Sequence, residues 1–118
     1  MRTVVYIAGP FRGDHAYAIR RNIRRAEAAA LEVWSLGMVA LCPHLNTANF
    51  QGVLPDQVWL GGDLELLRRC DAILLVSGWQ ESEGAKREEQ EAEDRGIPVF
   101  VTVEALTSWF LAGRLAEE

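Results

Sequence analysis

Carboxylates carry the most pointed chemistry in this 118-residue sequence. The charged stretch Ala85–Arg95 reads as a helix stopped by Gly96, and its only apolar positions are Ala85 and Ala92, one heptad apart. An inward stripe joining them must pass between the two alanines. Glu88 and Glu89 fill that gap at i+3 and i+4 from Ala85, so at least one carboxylate points toward the body of the protein. An inward carboxylate beside a strand-end loop suits a nucleophile or a general base; a loosely attached helix with incidental alanines is the competing reading. Just before this helix, Ser82-Glu83-Gly84 offers a hydroxyl and free backbone N–H groups at the positive end of a helix dipole, where an anion can bind or where Ser82 simply caps the turn. Asp63, after Gly61-Gly62 and before Leu64 and Leu67, is either the N-cap of a short helix or a third carboxylate aimed at the same place.

A second group of candidates follows the first apolar run. Gly9-Pro10-Phe11-Arg12-Gly13 lacks both the GxGxxG dinucleotide fingerprint and the GxxxxGK[ST] phosphate loop, so neither NAD binding nor ATP hydrolysis is indicated. Two glycines flanking an arginine can still let backbone N–H groups and a guanidinium approach a phosphate or carboxylate, or form a plain turn. His44, next to Pro43 at a strand end, is placed to touch a substrate but has no visible partner. Phe11, Trp59 and Trp79 are large enough to stack a nucleobase, although such aromatics more often fill cores and interfaces.

The elements that must position these residues are marked by their periods. Thr3–Ala8 is a β-branched apolar run closed by Gly9-Pro10, which predicts a strand buried on both faces. From about Tyr17 the period becomes helical through Ile19, Ile23, Ala26, Ala30 and Val33, with Gly37 at the C-cap. Met38–Cys42 predicts a second strand stopped by Pro43, and Leu45–Leu54 a long loop. Pro55 opens a helix through Leu60, Leu64 and Leu67, with Gly61-Gly62 as a break or close-packing point. Ala72–Ser77 predicts the third strand, Gly78–Gly84 a polar loop, Pro98–Thr102 the fourth strand and Glu104–Leu115 a closing amphipathic helix. Strict alternation with short connections implies parallel strands and a single domain over residues 1–118: a three-layer α/β/α sandwich on a mostly parallel sheet of four to five strands, Rossmann- or flavodoxin-like. Ligands of such sheets sit beyond the carboxyl ends of the strands, so the loops Gly9–Asp14, Pro43–Leu54 and Gly78–Gly84 are expected to converge on one crevice.

Composition narrows the function classes. The net charge of −5 repels polyanions, so nucleic acid is not an expected partner, and Arg20, Arg21, Arg24 and Arg25 read as a solvated helix face with the option of a local anion patch. Cys42 and Cys70 lie in apolar surroundings without zinc-ligand spacing, so reduced core thiols and no metal site are expected. Met1 leads straight into a strand and no apolar run has the length of a membrane span, which predicts a cytoplasmic protein without a membrane partner.

Taken together, Tyr6-Ile-Ala-Gly9-Pro-Phe-Arg12-Gly13, Asp63 eight residues before Asp71, and Ser82-x-Gly84-x-x-x-Glu88-x-x-x-Ala92 followed by Gly96-Ile-Pro98-Val resemble the nucleoside 2-deoxyribosyltransferase superfamily, including its 2'-deoxynucleoside 5'-monophosphate N-hydrolase branch. The resemblance covers nearly the whole chain. It implies that Glu88 rather than Glu89 is the nucleophile, that Tyr6 positions it, and that Asp63 contacts the sugar or assists departure of the base. Gly9, Arg12, Gly13, Ser82 and Gly84 would surround a substrate or its 5'-phosphate. The implied reaction is retaining cleavage of an N-glycosidic bond, with water or another base as acceptor and no cofactor. Position 10 departs from the pattern, being Pro where the hydrolase branch has a phosphate-contacting Ser, and the segment around Glu81–Arg87 is more charged than is typical. The resemblance also implies a small-molecule nucleoside or nucleotide as partner and a homo-oligomer, a dimer or larger, to which Trp109 and Phe110 are candidate contacts. The alternative from another class is a nucleotide-binding or sensing domain that keeps the crevice and does no chemistry. A purely structural domain would fill the crevice with its own side chains.

Overall fold

The computed structural model describes residues 2–47, 50 and 52–117, the side chains of 116 and 117 excepted. Strands β1 (Val4–Ala8), β2 (Val39–Leu41), β3 (Ala72–Leu75) and β4 (Val99–Phe100) alternate with helices α1 (Ala16–Ser35), α2 (Pro43–Asn46), α3 (Asp56–Arg68), α4 (Glu83–Asp94) and α5 (Val103–Glu117). The sheet has four strands in the order β2-β1-β3-β4, every pairing parallel, with Tyr6 opposite Leu41 on one side and Ile73 on the other. Chain direction across the sheet reverses between β1 and β3, and the carboxyl ends of strands at such a reversal are where ligands of these sheets are received.

Alternation along the strands divides the core into two layers. Val5, Ile7, Ala72 and Leu74 face α1 and α5 and pack on Ala26, Ala30, Val33 and Leu106. Tyr6, Ala8, Ile73 and Leu75 face α3 and α4 and pack on Leu67 and Ala92. The result is the three-layer α/β/α sandwich that the alternating periods predict. Gly37 and Gly96 take positive φ at the ends of α1 and α4, where an L side chain would be strained. Cys42 and Cys70 are buried free thiols, and among the described residues no helix is long and apolar enough to cross a membrane.

Several expectations are corrected. Pro43 starts the short helix α2 instead of a loop, its ring supplying the φ that a first helical turn needs; of the expected Leu45–Leu54 loop, residues 48, 49 and 51 lie outside the described ones. Gly61-Gly62 do not interrupt α3, whose buried Leu67 and half-buried Leu64 and Leu66 hold it to the sheet. Asp63 is therefore mid-helix and caps nothing. The expected Gly78–Gly84 loop contains a 3-10 turn over Trp79–Glu81, and α4 begins within it at Glu83. Phe110 is buried in the core and Trp109 packs on Phe100 with ring centroids 5.3 Å apart, because the inward stripe of α5 falls on them. The large apolar residues that face outward on that helix are Leu111 and Leu115.

Candidate active site

Tyr6 sits at the centre of β1 with no solvent-exposed surface, so its hydroxyl must find a partner inside the protein. It donates to Glu88 Oε2 on α4. Helix α4 is held in place by Ser82, whose Oγ accepts from the Ala85 N–H at 3.1 Å, and by Ala85 and Ala92, which are 1% and 0% exposed. Small residues at these two positions let the helix lie close to the sheet, and the half-buried Glu88 between them reaches Tyr6. Its neighbour Glu89 turns instead toward Glu93, and that contact between carboxyls raises its pKa.

Asp63 approaches the pair from α3. Burial pushes its carboxyl up to about 6. Burial also pushes Glu88 up to about 7, against the downward pull of the Tyr6 hydrogen bond and with a further upward push from the Asp63 charge. Tyr6 itself is raised far out of reach of deprotonation, by burial first and by the two carboxylates next. Near neutral pH this trio can therefore hold a hydroxyl that only donates and two carboxyls that exchange protons. One ionised carboxylate can attack an electrophilic carbon while the other gives or takes a proton. Asp63 also lines a cleft of about 410 Å³ with Thr47, Val58, Trp59, Leu66 and Arg69.

The other expected residues are distributed around this centre. A Cβ on Gly9 would stand 2.9 Å from Val76 Cβ, and one on Gly13 would stand 2.5 Å from Ala18 Cβ, so the β1–α1 loop lies tight against β3 and α1. Arg12, exposed at the tip, pairs with Asp56 at the start of α3. His44 is not free to meet a substrate through Nε2, which donates to the Pro10 carbonyl at 2.9 Å; it is 9% exposed, and burial lowers its pKa. Phe11 packs edge-on against it, with centroids 5.5 Å apart. Trp79 belongs to the core layer around Tyr6 and Ala8, whereas Trp59 pairs with Phe50 at 5.7 Å. Ser82 and Gly84 lie at the first turn of α4. Asp71 accepts from the Val4 N–H at 2.8 Å, at the amino ends of β1 and β3, and ties the two strands together.

One residue of the site region escapes a reading by periodicity. Asn22 lies in the inward stripe of α1 among Ala18, Ala26, Ala30 and Val33, is 6% exposed, and donates to the Phe11 and Arg12 carbonyls at 3.3 and 3.1 Å. Its signal in the sequence is a single amide where the stripe calls for an apolar side chain. Among the described residues no three His, Cys, Asp or Glu side chains gather as a metal site would require.

Residues 3–102 match the family described as "Domain of unknown function (DUF7768)". No curated protein sequence matches the chain. Among solved structures, the chain resembles a 2-deoxyribosyltransferase from the psychrotolerant bacterium Bacillus psychrosaccharolyticus, with a TM-score of 0.64 and 18% identity over 82% of this chain and 69% of that one. It also resembles a conserved protein from Enterococcus faecalis V583, with a TM-score of 0.67 and 22% identity over 84% of this chain and 62% of that one. The chain thus spans less than two-thirds of the Enterococcus protein, and at these identities the likeness establishes a shared fold.

Proposed function

The chain belongs to the DUF7768 family, and we propose that it cleaves the N-glycosidic bond of a 2'-deoxynucleoside or its 5'-monophosphate, with Glu88 as the nucleophile. The observation that carries this reading is the bond from the buried Tyr6 hydroxyl to the Glu88 carboxylate, made beside Asp63. The fold shared with a 2-deoxyribosyltransferase supports it.

The ionised Glu88 carboxylate attacks C1' and forms a C1'–O ester as the C1'–N bond breaks, its electron pair leaving on the base nitrogen. Glu88 and Asp63 titrate close together, so near neutrality the pair holds a single proton; in the reactive arrangement of that pair the proton lies on Asp63, which gives it to the departing base or its neighbouring nitrogen. Tyr6 does not react. Its hydroxyl holds one Glu88 oxygen so that the other faces the sugar. Water, or the nitrogen of a second base, then attacks C1', the ester C–O bond breaks, and the carboxylate returns while Asp63 takes the proton of the acceptor. Two displacements at C1' leave the anomeric configuration unchanged. A sugar without a 2'-hydroxyl forms the oxocarbenium-like state more readily, which favours deoxy substrates.

The test is chromatography of products from a panel of deoxynucleosides and their monophosphates, with and without a second base. Free base from at least one substrate, lost in Glu88→Ala with the fold intact, is the expected result. Equal turnover by wild type and Glu88→Ala would refute the assignment. Binding of nucleotides without any release of base would instead describe a sensing domain.

A further inference from the structure

Helix α4 carries no apolar side chain larger than alanine, and its buried residues are Ala85 and Ala92. Two methyl groups let the helix lie close to the sheet but interlock with nothing, so polar bonds must fix where it sits. Ser82 caps its first turn locally. Among the described residues two side-chain bonds reach from α4 to other elements, the one from Tyr6 on β1 to Glu88 and the one from Arg68 on α3 to Glu91. Glu91 Oε2 accepts from Arg68 Nε at 3.0 Å and from Arg95 Nε, just past the end of α4, at 2.7 Å. Its side chain is 18% exposed, and the Arg68 and Arg95 guanidiniums beside it hold its carboxyl below the usual range. On α3, Glu65 stands 3.8 Å from Arg68, which therefore has a carboxylate on either side.

Helices that link parallel strands all return against the strand direction, so α3 and α4 run the same way. Arg68 follows Asp63 on α3 as Glu91 follows Glu88 on α4, which puts the ion pair roughly 5–8 Å along the helices from the two reactive carboxyls. Asp63 and Glu88 push one another apart whenever both are ionised. No side chain of α4 is bulky enough to resist that push by packing. The opposite charges of Arg68 and Glu91, about one turn away, draw the same two helices together.

We infer that Glu91, acting through Arg68, is a positioning residue that holds α4 against α3 and so sets the distance between the Glu88 and Asp63 carboxyls. The inference rests on the roles proposed for that pair and adds a residue that exchanges no hydrogen bond with either member of it. The electrostatic coupling of the two carboxyls reports their separation. Around Glu88 the neighbouring elements present the Tyr6 hydroxyl from β1 and the apolar Ile73, Leu75 and Val99 from β3 and β4, while Glu81 of the 3-10 turn is exposed. Asp63 is the charged group that bears on it from another element.

The test follows the Glu88 carboxyl carbon by NMR through a pH titration of the full chain in four forms: wild type, Asp63→Asn, Glu91→Gln and the double variant. Glu91→Gln leaves Arg68 and Arg95 uncompensated, which lowers the Glu88 titration with or without Asp63 and cancels in the comparison. The lowering that Asp63→Asn causes is expected to shrink to less than about half once Glu91 is Gln. Arg68→Gln, which leaves Glu91 its bond to Arg95, is expected to shrink it likewise, and Arg68→Lys, which keeps the charge, to retain most of it. If Glu91→Gln fails to fold, Arg68→Gln takes its place in the comparison. The same lowering in both backgrounds would overturn the inference, and a variant that melts earlier yet keeps the full coupling would make Glu91 a structural residue only. Because the titration needs no substrate, a protein that loses the coupling as expected but never releases base would sink the reaction and leave the positioning role standing.

Discussion

The Tyr6 hydroxyl donates to Glu88 across 82 residues of chain, joining an inner strand of the sheet to a helix whose residues are mostly charged. Neither residue alone defines a reactive group. Tyrosine on a buried strand is ordinary core, and a glutamate among five other acidic residues of α4 is ordinary surface. Their contact draws a carboxylate out of water and gives it a fixed orientation.

Opposing effects act on Glu88, and two variants separate them. Tyr6→Phe removes the hydrogen bond that favours the ionised form, so the Glu88 titration is expected to move to higher pH. Asp63→Asn removes the neighbouring negative charge, so it is expected to move to lower pH. Carboxyl carbon shifts followed by NMR through a pH titration of each variant check both signs; shifts in the same direction would contradict the arrangement.

If Glu88 must be ionised and Asp63 protonated, the pH–rate profile is a bell. Its limbs are expected near 6 and 7 and belong to the coupled pair. Asp63→Asn is expected to abolish the alkaline limb and leave a rate that rises to a plateau. A profile that is flat between pH 5 and 8, values chosen to bracket the carboxyl and imidazole ranges, would exclude this pair from the chemistry.

Burial of Glu88 also has a consequence for stability. Its pKa is raised in the folded state from the ordinary 4.5 to about 7, so the folded protein holds the proton more tightly than the unfolded chain. Stability linked to this group is fully present below about 4.5 and is lost as pH rises through about 7. Glu88→Gln, which cannot ionise, is therefore expected to be more stable than wild type at pH 8 by on the order of 1–3 kcal/mol and to show little gain at pH 4. Thermal melts at the two pH values decide this.

Glycine substitutions test the loop and helix packing in opposite directions. Gly13→Ala places a Cβ 2.5 Å from Ala18 Cβ and is expected to destabilise the fold by about 1–3 kcal/mol. Gly61→Ala on α3 meets nothing within 4 Å and is expected to stabilise by about 0.5–1 kcal/mol through helix propensity. Chemical denaturation of the two variants beside wild type measures both.

Ser82→Ala isolates the cap of α4. Loss of the bond to the Ala85 N–H is expected to lower stability by about 1 kcal/mol in the absence of any ligand. A variant as stable as wild type that nonetheless binds phosphorylated nucleosides less well would move Ser82 from capping to ligand contact.

Much of the architecture was legible because burial leaves a local imprint. Runs such as Val4–Ala8 and Ala72–Leu75 mark strands covered on both faces, and Ala85 and Ala92 mark the side of α4 that meets the sheet. Gly61-Gly62 misled because helix propensity is weak beside the packing of Leu64, Leu66 and Leu67. Phe110 misled because apolar residues of α5 occur on more than one side, and only the neighbouring strands decide which side is covered.

The sequence by itself determined the alternation of strands and helices, and hence a parallel α/β sheet with a carboxylate of α4 turned inward, since each of these follows from spacing along a few turns of chain. Only the tertiary structure decided that β1 lies between β2 and β3, that Tyr6 meets Glu88 instead of Glu89, and that Asn22 and His44 turn inward the carbonyls of one loop. Those relationships join segments far apart in the chain, and their partners are fixed by strand order and register, which local periodicity does not encode.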